Sequence, residues 1–151
     1  MKRLFHDIEN ACDCRLFSAV AAAAEWRYDP APLPAGRATG EGLRGVDIVA
    51  DCGNGGLPTF TITNMSPRSA EETLAVQFDG DPETILPAAC QANACEIQFD
   101  SMWAFKSFLA GLRDGWVLRL GLYRGGYLTE IPLTHTRYAL DEMEKRGCET
   151  R

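Results

Sequence analysis

Lysine is nearly missing from this chain: only Lys2, Lys106 and Lys145 accompany twelve arginines. No basic cluster interleaves with aromatics, and the net charge is −6, so there is no footprint for neutralising nucleic-acid phosphates. Apolar runs stop short of the roughly 18 to 20 residues that a membrane span needs. Histidine is confined to His6 and His135, far from any cysteine knuckle, which leaves little material for a structural zinc site. Nucleotide and hydrolase signatures are missing too. Gly53-Asn54-Gly55-Gly56 lacks the lysine of a phosphate loop and reads as a hairpin turn, and Ser66, Ser69 and Ser107 lie in no G-x-S-x-G elbow. Asp79, Asp81 and Glu83 miss the register of a calcium loop, with Pro82 interrupting them. No cofactor and no metal is expected, and no catalytic residue stands out.

What remains is ordinary globular material: 151 residues, 46% hydrophobic and 24% charged, enough for one domain with one core. Residues 1–25 read either as a leader or as a loosely attached helix. Leu16 to Ala24 closes an apolar segment in an A-x-A site, but Asp7, Glu9, Asp13 and Arg15 separate it from the basic start. Residues 26–45, rich in proline and glycine, read as an extended approach. Residues 46–147 read as a single domain.

Strand signals begin at Val46. Ile48 and Ala50 alternate with Asp47 and Val49, and Phe60 and Ile62 alternate with Thr59 and Thr61, which predicts a hairpin across the glycine turn. Leu74, Val76 and Phe78 form a third alternating run, ended by Asp79-Gly80-Asp81-Pro82, and Cys95, Ile97 and Phe99 a fourth. From Met102 the period changes. Met102, Phe105, Phe108, Leu109 and Leu112 recur at helical spacing behind Ser101, a good N-cap, and Asp114-Gly115 supplies the stop. Trp116, Leu118, Leu120 and Leu122 then alternate as a strand that turns at Arg124-Gly125-Gly126 and returns through Tyr127, Thr129 and Ile131. Thr136 can cap a short final helix with Ala139, Leu140 and Met143 inward, carrying the pairs Arg137/Asp141, Asp141/Lys145 and Glu142/Arg146. At least six strands and two helices predict a mainly β fold. The expected form is an antiparallel, immunoglobulin-like β-sandwich with one amphipathic helix between strands and a short C-terminal helix.

Six cysteines add a constraint on compartment: Cys12, Cys14, Cys52, Cys90, Cys95 and Cys148. Cys90 and Cys95 can close a short disulfide around Gln91-Ala92-Asn93-Ala94, while Cys52 and Cys95, both at inward strand positions, form a competing pair; spacing does not choose between them. The alternative is a cytoplasmic protein in which three or four reduced cysteines converge for metal binding or thiol chemistry. Among the aromatics, Trp26, Trp103, Tyr123 and Tyr127 are the candidates for a binding surface, with core and cross-strand packing as the competing role of such residues.

The stretch from Cys90 to Met143, about a third of the chain, resembles the C-terminal half of the invasion-associated locus B family of small bacterial cell-envelope proteins. The likeness rests on the Cys90/Cys95 turn, an amphipathic segment ending in Gly111-Leu112, and the strand-turn-strand unit from Trp116 to Ile131. Ile131-Pro132-Leu133, leading into the helix of Ala139 and Leu140, completes it. Upstream, Cys52 stands alone where the family tends to offer more cysteines. The resemblance implies an exported, disulfide-bearing sandwich, periplasmic or secreted, linked at family level to host-cell invasion. It implies no enzymatic activity, and its partner would be another protein or an envelope component.

Overall fold

A computed structural model describes residues 25–151, so the leader or helix expected before that point lies outside the described residues, as do Cys12 and Cys14. The fold is mainly β. Nine antiparallel strands, β1 (Arg27–Asp29), β2 (Arg37–Gly40), β3 (Ile48–Asp51), β4 (Thr59–Ile62), β5 (Glu71–Phe78), β6 (Thr84–Gln91), β7 (Ala94–Ile97), β8 (Val117–Leu122) and β9 (Gly126–Pro132), form one sheet in the order β1-β2-β3-β4-β7-β6-β5-β8-β9. Helix α1 (Met102–Asp114) lies between β7 and β8, and α2 (Thr136–Glu144) follows β9. Strands β5 to β8 make a Greek key whose long connection contains α1.

The sheet folds over on itself into a sandwich-like arrangement. Thr129 on β9 donates its hydroxyl to the Val46 carbonyl at 3.0 Å, and the Trp26 amide donates to Thr134 O at 3.0 Å, so the last strands return to the first. Closure is tight at Gly42, where a Cβ would collide with Thr129 Oγ1 and the Val46 carbonyl. Inward side chains follow the two-residue period: Ile48, Phe60, Ile62, Leu74, Leu118, Leu120 and Ile131 are all but fully buried. Helix α1 covers one end of this core with Phe105, Phe108, Leu109 and Leu112. Phe108 touches Phe60, Phe99 and Phe78 at centroid distances of 5.0, 5.4 and 5.6 Å, edge-on or tilted as ring quadrupoles favour.

Several sequence expectations need correction. The proline- and glycine-rich segment 26–45 contains β1 and β2 and belongs to the sheet. Its inward positions, Ala38 and Gly40, are too small to register as apolar alternation, and the Trp26 indole fills the space beside Gly40. Beyond residue 147 the chain is still part of the domain: Cys148 and Thr150 are buried. Strand β6 was masked by Pro87, which has no N–H to donate. Its carbonyl accepts from Gln98, so the missing donor lies on the β7 side, one residue past the last paired position, Ala88–Ile97, where its loss interrupts no ladder. Met102 and Trp116 point outward, 50% and 84% exposed, because neither has a facing layer at its end of the element. None of the three expected helix pairs on α2 forms. Arg137 bonds Asp114 at 2.6 Å, Asp141 bonds Arg113 at 2.8 Å, and Lys145 bonds Glu142 at 2.8 Å.

Two cysteine pairs sit at disulfide distance. Cys90 and Cys95 face each other across β6 and β7, and Cys52 joins Cys148 rather than Cys95. The competing pairing fails because Cys95 is already opposite Cys90, whereas the C-terminal segment runs beside the loop after β3: the amides of Gly56 and Glu149 donate to the carbonyls of Gly147 and Gly56.

Candidate binding site along the first helix

The start of α1 is fixed by Ser101, whose hydroxyl oxygen accepts the Ala104 amide at 3.0 Å. One stripe of the helix faces the core, and the flank toward the β5–β6 turn is built of small residues, Ala104, Ser107 and Gly111. Gly111 is needed there: a Cβ would overlap the Phe78 ring, so the ring rests directly on the helix backbone. Beside this contact an apolar cavity of about 100 Å³ opens between Val76, Phe78, Leu86 and Phe108, with Trp103 as its outer wall. A second hollow of about 310 Å³ shares Phe78 and Ser107 with the first and continues along α1 to Asp114, bounded across the gap by Asp79 and Asp81. The two make one groove. On the other side of the same helical turn, Met102 and Leu57 rim a separate depression of about 350 Å³.

Asp79 sets the groove's far end. It takes a left-handed backbone conformation (φ 51°), and its carboxylate accepts the amides of Trp116 and Val117 at 2.8 and 2.9 Å. The carboxylate thus ties the end of β5 to the start of β8. Asp114 stays exposed and pairs with Arg137.

The four aromatic candidates do not converge. Trp26 is a core residue, 2% exposed between the first strands and α2, and is no binding surface; its indole nitrogen is buried with no hydrogen-bond partner among the described residues. Tyr127 lies on the outer face of the β8–β9 hairpin with its hydroxyl donating to Glu83 at 2.6 Å, and this bond, together with desolvation and the Glu83 charge, holds the phenol above its usual range. Register explains its reach. Tyr127 pairs with Gly121, Gly121 with Ala75, and Ala75 with Ile85, so two small residues leave a path across the sheet for the ring. Arg119 and Arg124 stack near Tyr127 and Tyr123, at 5.9 and 5.2 Å from the ring centroids. Only Trp103, 79% exposed, is offered to solvent beside an apolar hollow.

Sequence reasoning missed Asp79, Gly111 and Arg113 as site-forming residues. Asp79 was readable only as a turn, and Arg113 only as a residue off the apolar stripe. In the fold Arg113 is central to the other flank of α1: it donates to Asp141 at 2.8 Å, to Thr150 Oγ1 at 2.8 Å and to Thr150 O at 3.0 Å. His135 meets Glu25 at 2.9 Å on the surface. Among the described residues no group of three or more His, Cys, Asp or Glu gathers to hold a metal; the four described cysteines pair two and two. No described helix is long and apolar enough to cross a membrane. Comparison with protein-family models, with curated proteins and with solved structures finds no match, so the residues themselves carry the functional reading.

Proposed function

We propose that this chain is a non-catalytic binding module of the bacterial cell envelope, exported and disulfide-stapled, of the kind the invasion-associated locus B resemblance implies, and that it binds through the groove along α1. The observation that carries the reading is Trp103. A fold that buries Phe60, Phe105 and Phe108 to 5% exposure or less leaves an indole 79% exposed at the rim of an apolar hollow. What sets Trp103 apart from the similarly exposed Trp116 is the apolar hollow it rims, since contiguous apolar surface marks interaction sites and tryptophan is enriched where binding energy concentrates. Two cysteine pairs at disulfide distance suit an oxidising compartment outside the cytoplasm.

The test is peptide mapping by mass after alkylation, with and without prior reduction, on protein recovered separately from the periplasm and cytoplasm of a bacterial host. Periplasmic protein with Cys52, Cys90, Cys95 and Cys148 protected from alkylation until reduced is the expected result. Four freely alkylated thiols in the native protein, with the chain retained in the cytoplasm, would overturn the exported reading.

A further inference from the structure

We propose that the occupant of the groove along α1 is an extended segment of another protein that seats one aliphatic or aromatic side chain beside Trp103 and, about five residues away, a lysine or arginine at Asp81 and Asp114. The inference rests on the binding-module reading and adds the class of partner. Three observations carry it.

The first is volume. The hollow beside Trp103 holds about 100 Å³. That is room for a single side chain serving as an anchor, and because the groove runs on past it along α1 the occupant continues beyond the anchor. The second is charge. The end of the groove away from Trp103 is walled by Asp79, Asp81 and Asp114, on a chain of net charge −6. Asp79 spends one oxygen on two backbone amides, which are neutral and leave its charge in place. Asp114 is held by Arg137 in a pair whose side chains are 71% and 67% exposed, and such solvated pairs are weak enough to exchange for an incoming cation. A basic side chain is therefore favoured at this end and an acidic one repelled. The third is length. Trp103 and Asp114 are eleven residues apart on one helix, which at 1.5 Å per residue is roughly 16 Å. An extended chain advances roughly 3.3 Å per residue, so about five residues span the distance. The apolar floor from Phe78 to Gly111 lies between the two ends.

The test is panning of the oxidised full-length protein against a random dodecapeptide phage library. Fluorescence anisotropy of the recovered peptides against the wild type, Trp103→Ala, Asp81→Asn and Asp81→Lys follows, with near-UV circular dichroism to check each fold. Enriched peptides are expected to carry an apolar residue and a basic residue four to six positions apart. Trp103→Ala should weaken them about thirtyfold, as loss of an anchor does, and Asp81→Lys about tenfold, with partial recovery when the peptide's basic residue becomes glutamate. Peptides that need Trp103 but ignore both the spacing and Asp81→Lys would overturn this proposal and leave the binding module standing. Peptides that bind Trp103→Ala as well as wild type, or no enrichment at all, would remove both the peptide and the groove as the site. Concentration-dependent dimerisation abolished by Trp103→Ala would also overturn the proposal, by assigning the groove to a second copy of this chain.

Discussion

On the flank of α1 that faces α2, Arg113 reaches Asp141, Glu144 and Thr150 and gathers the C-terminal residues against the helix, whereas the flank facing the β5–β6 turn presents Ala104, Ser107 and Gly111 to an open groove. Both flanks border the same core, since Phe105, Phe108, Leu109 and Leu112 lie between them. The difference lies in what covers them. One side is sealed by charge-assisted hydrogen bonds and by Cys52–Cys148, which holds the chain end beside the loop after β3. The other side is shaped by small residues and bordered by an exposed indole. A seam closed by cross-links between distant parts of the chain contributes to folding; a groove left apolar beside it contributes nothing until something fills it. The comparison separates a side whose ion pairs should register in stability from a side whose exposed rim, Trp103, should register in binding, with Gly111 beneath that rim still part of the packing.

The sharpest way to break that division is to cut the clamp. Replacing both partners, Cys52→Ser with Cys148→Ser, removes a cross-link between residues 96 apart, and the chain-entropy relation puts the loss at about 4 to 5 kcal/mol in guanidinium unfolding. Cys90→Ser with Cys95→Ser opens a link only 5 residues long and should cost less than the ~3 kcal/mol of a 15-residue loop. Equal losses would mean that the first pair does not restrain the unfolded chain. Next comes Gly111→Ala. Alanine gains about 1 kcal/mol of helix propensity, but its Cβ must displace the Phe78 ring, which Phe108 backs at 5.6 Å, and overpacking of this kind costs about 1 to 3 kcal/mol. A net loss is expected, relieved in the double variant with Phe78→Leu; a net gain would show that the ring swings away freely.

Acid should act on two paired carboxylates, Glu144 on the sealed side and Glu72 on β5. Hydrogen bonding to Arg151 is the largest cause holding the Glu144 carboxyl below its usual range, and Arg68 does the same for Glu72 beside the start of β5. Carboxyls depressed in the folded state contribute stability that is present above the unfolded value near 4.5 and lost as pH falls through the lower folded values. The midpoint of urea unfolding should therefore drop as pH goes from 5 toward 3, and drop less in Arg68→Met with Arg151→Met. An identical decline in that variant would show that other carboxylates govern the acid limb. The Glu144 share is small, since its partner Arg151 is exposed and such pairs contribute little, whereas Glu72 is buried and accepts the Arg68 and Ser69 amides as well, so it carries the larger share.

The parts of the fold that were readable from sequence share a physical property: large residues on the inward side. Ile48, Phe60, Leu74 and Leu120 declare their strands, and Phe105 with Phe108 declares α1, whose cap at Ser101 forms as expected. Strand β1 is three residues long with only Tyr28 half-buried, β2 uses alanine and glycine inward, and β6 carries Pro87 at a level where β7 has ended, so none shows the period that burial normally writes. Parity also misleads at the ends of elements. Trp116 shares the alternation of Leu118 yet is exposed, because no layer faces it there. Of the site, Trp103 was visible as a candidate, but the groove was not. It needs Phe78, Gly111 and Asp79 brought together from three elements, and residues of those types are ordinary in a strand, a helix and a turn. The Cys52–Cys148 pairing has the same character: six cysteines allow 15 connectivities, and only the course of the last residues brings Cys148 to Cys52.

The smallest expected effect on stability is the most informative about the open flank. Trp103→Ala removes a side chain that is 79% exposed and makes no hydrogen bond among the described residues, so its unfolding free energy should stay within about 0.5 kcal/mol of wild type. The core contacts of α1 lie on Phe105, Phe108, Leu109 and Leu112 and do not depend on it. Tryptophan fluorescence then becomes a direct reporter. Of the three tryptophans, Trp26 is buried and Trp116 is exposed beyond the far end of the helix, so a quencher in water should reach Trp103 and Trp116 and spare Trp26. Acrylamide quenching of the wild type should resolve an accessible and a protected population, with the accessible fraction reduced in Trp103→Ala. A loss of several kcal/mol in this variant, or unchanged quenching, would place Trp103 in the packing of the fold and dissolve the contrast between the two flanks. Near-neutral stability with reduced quenching leaves an indole that folding does not use, held where the groove is apolar.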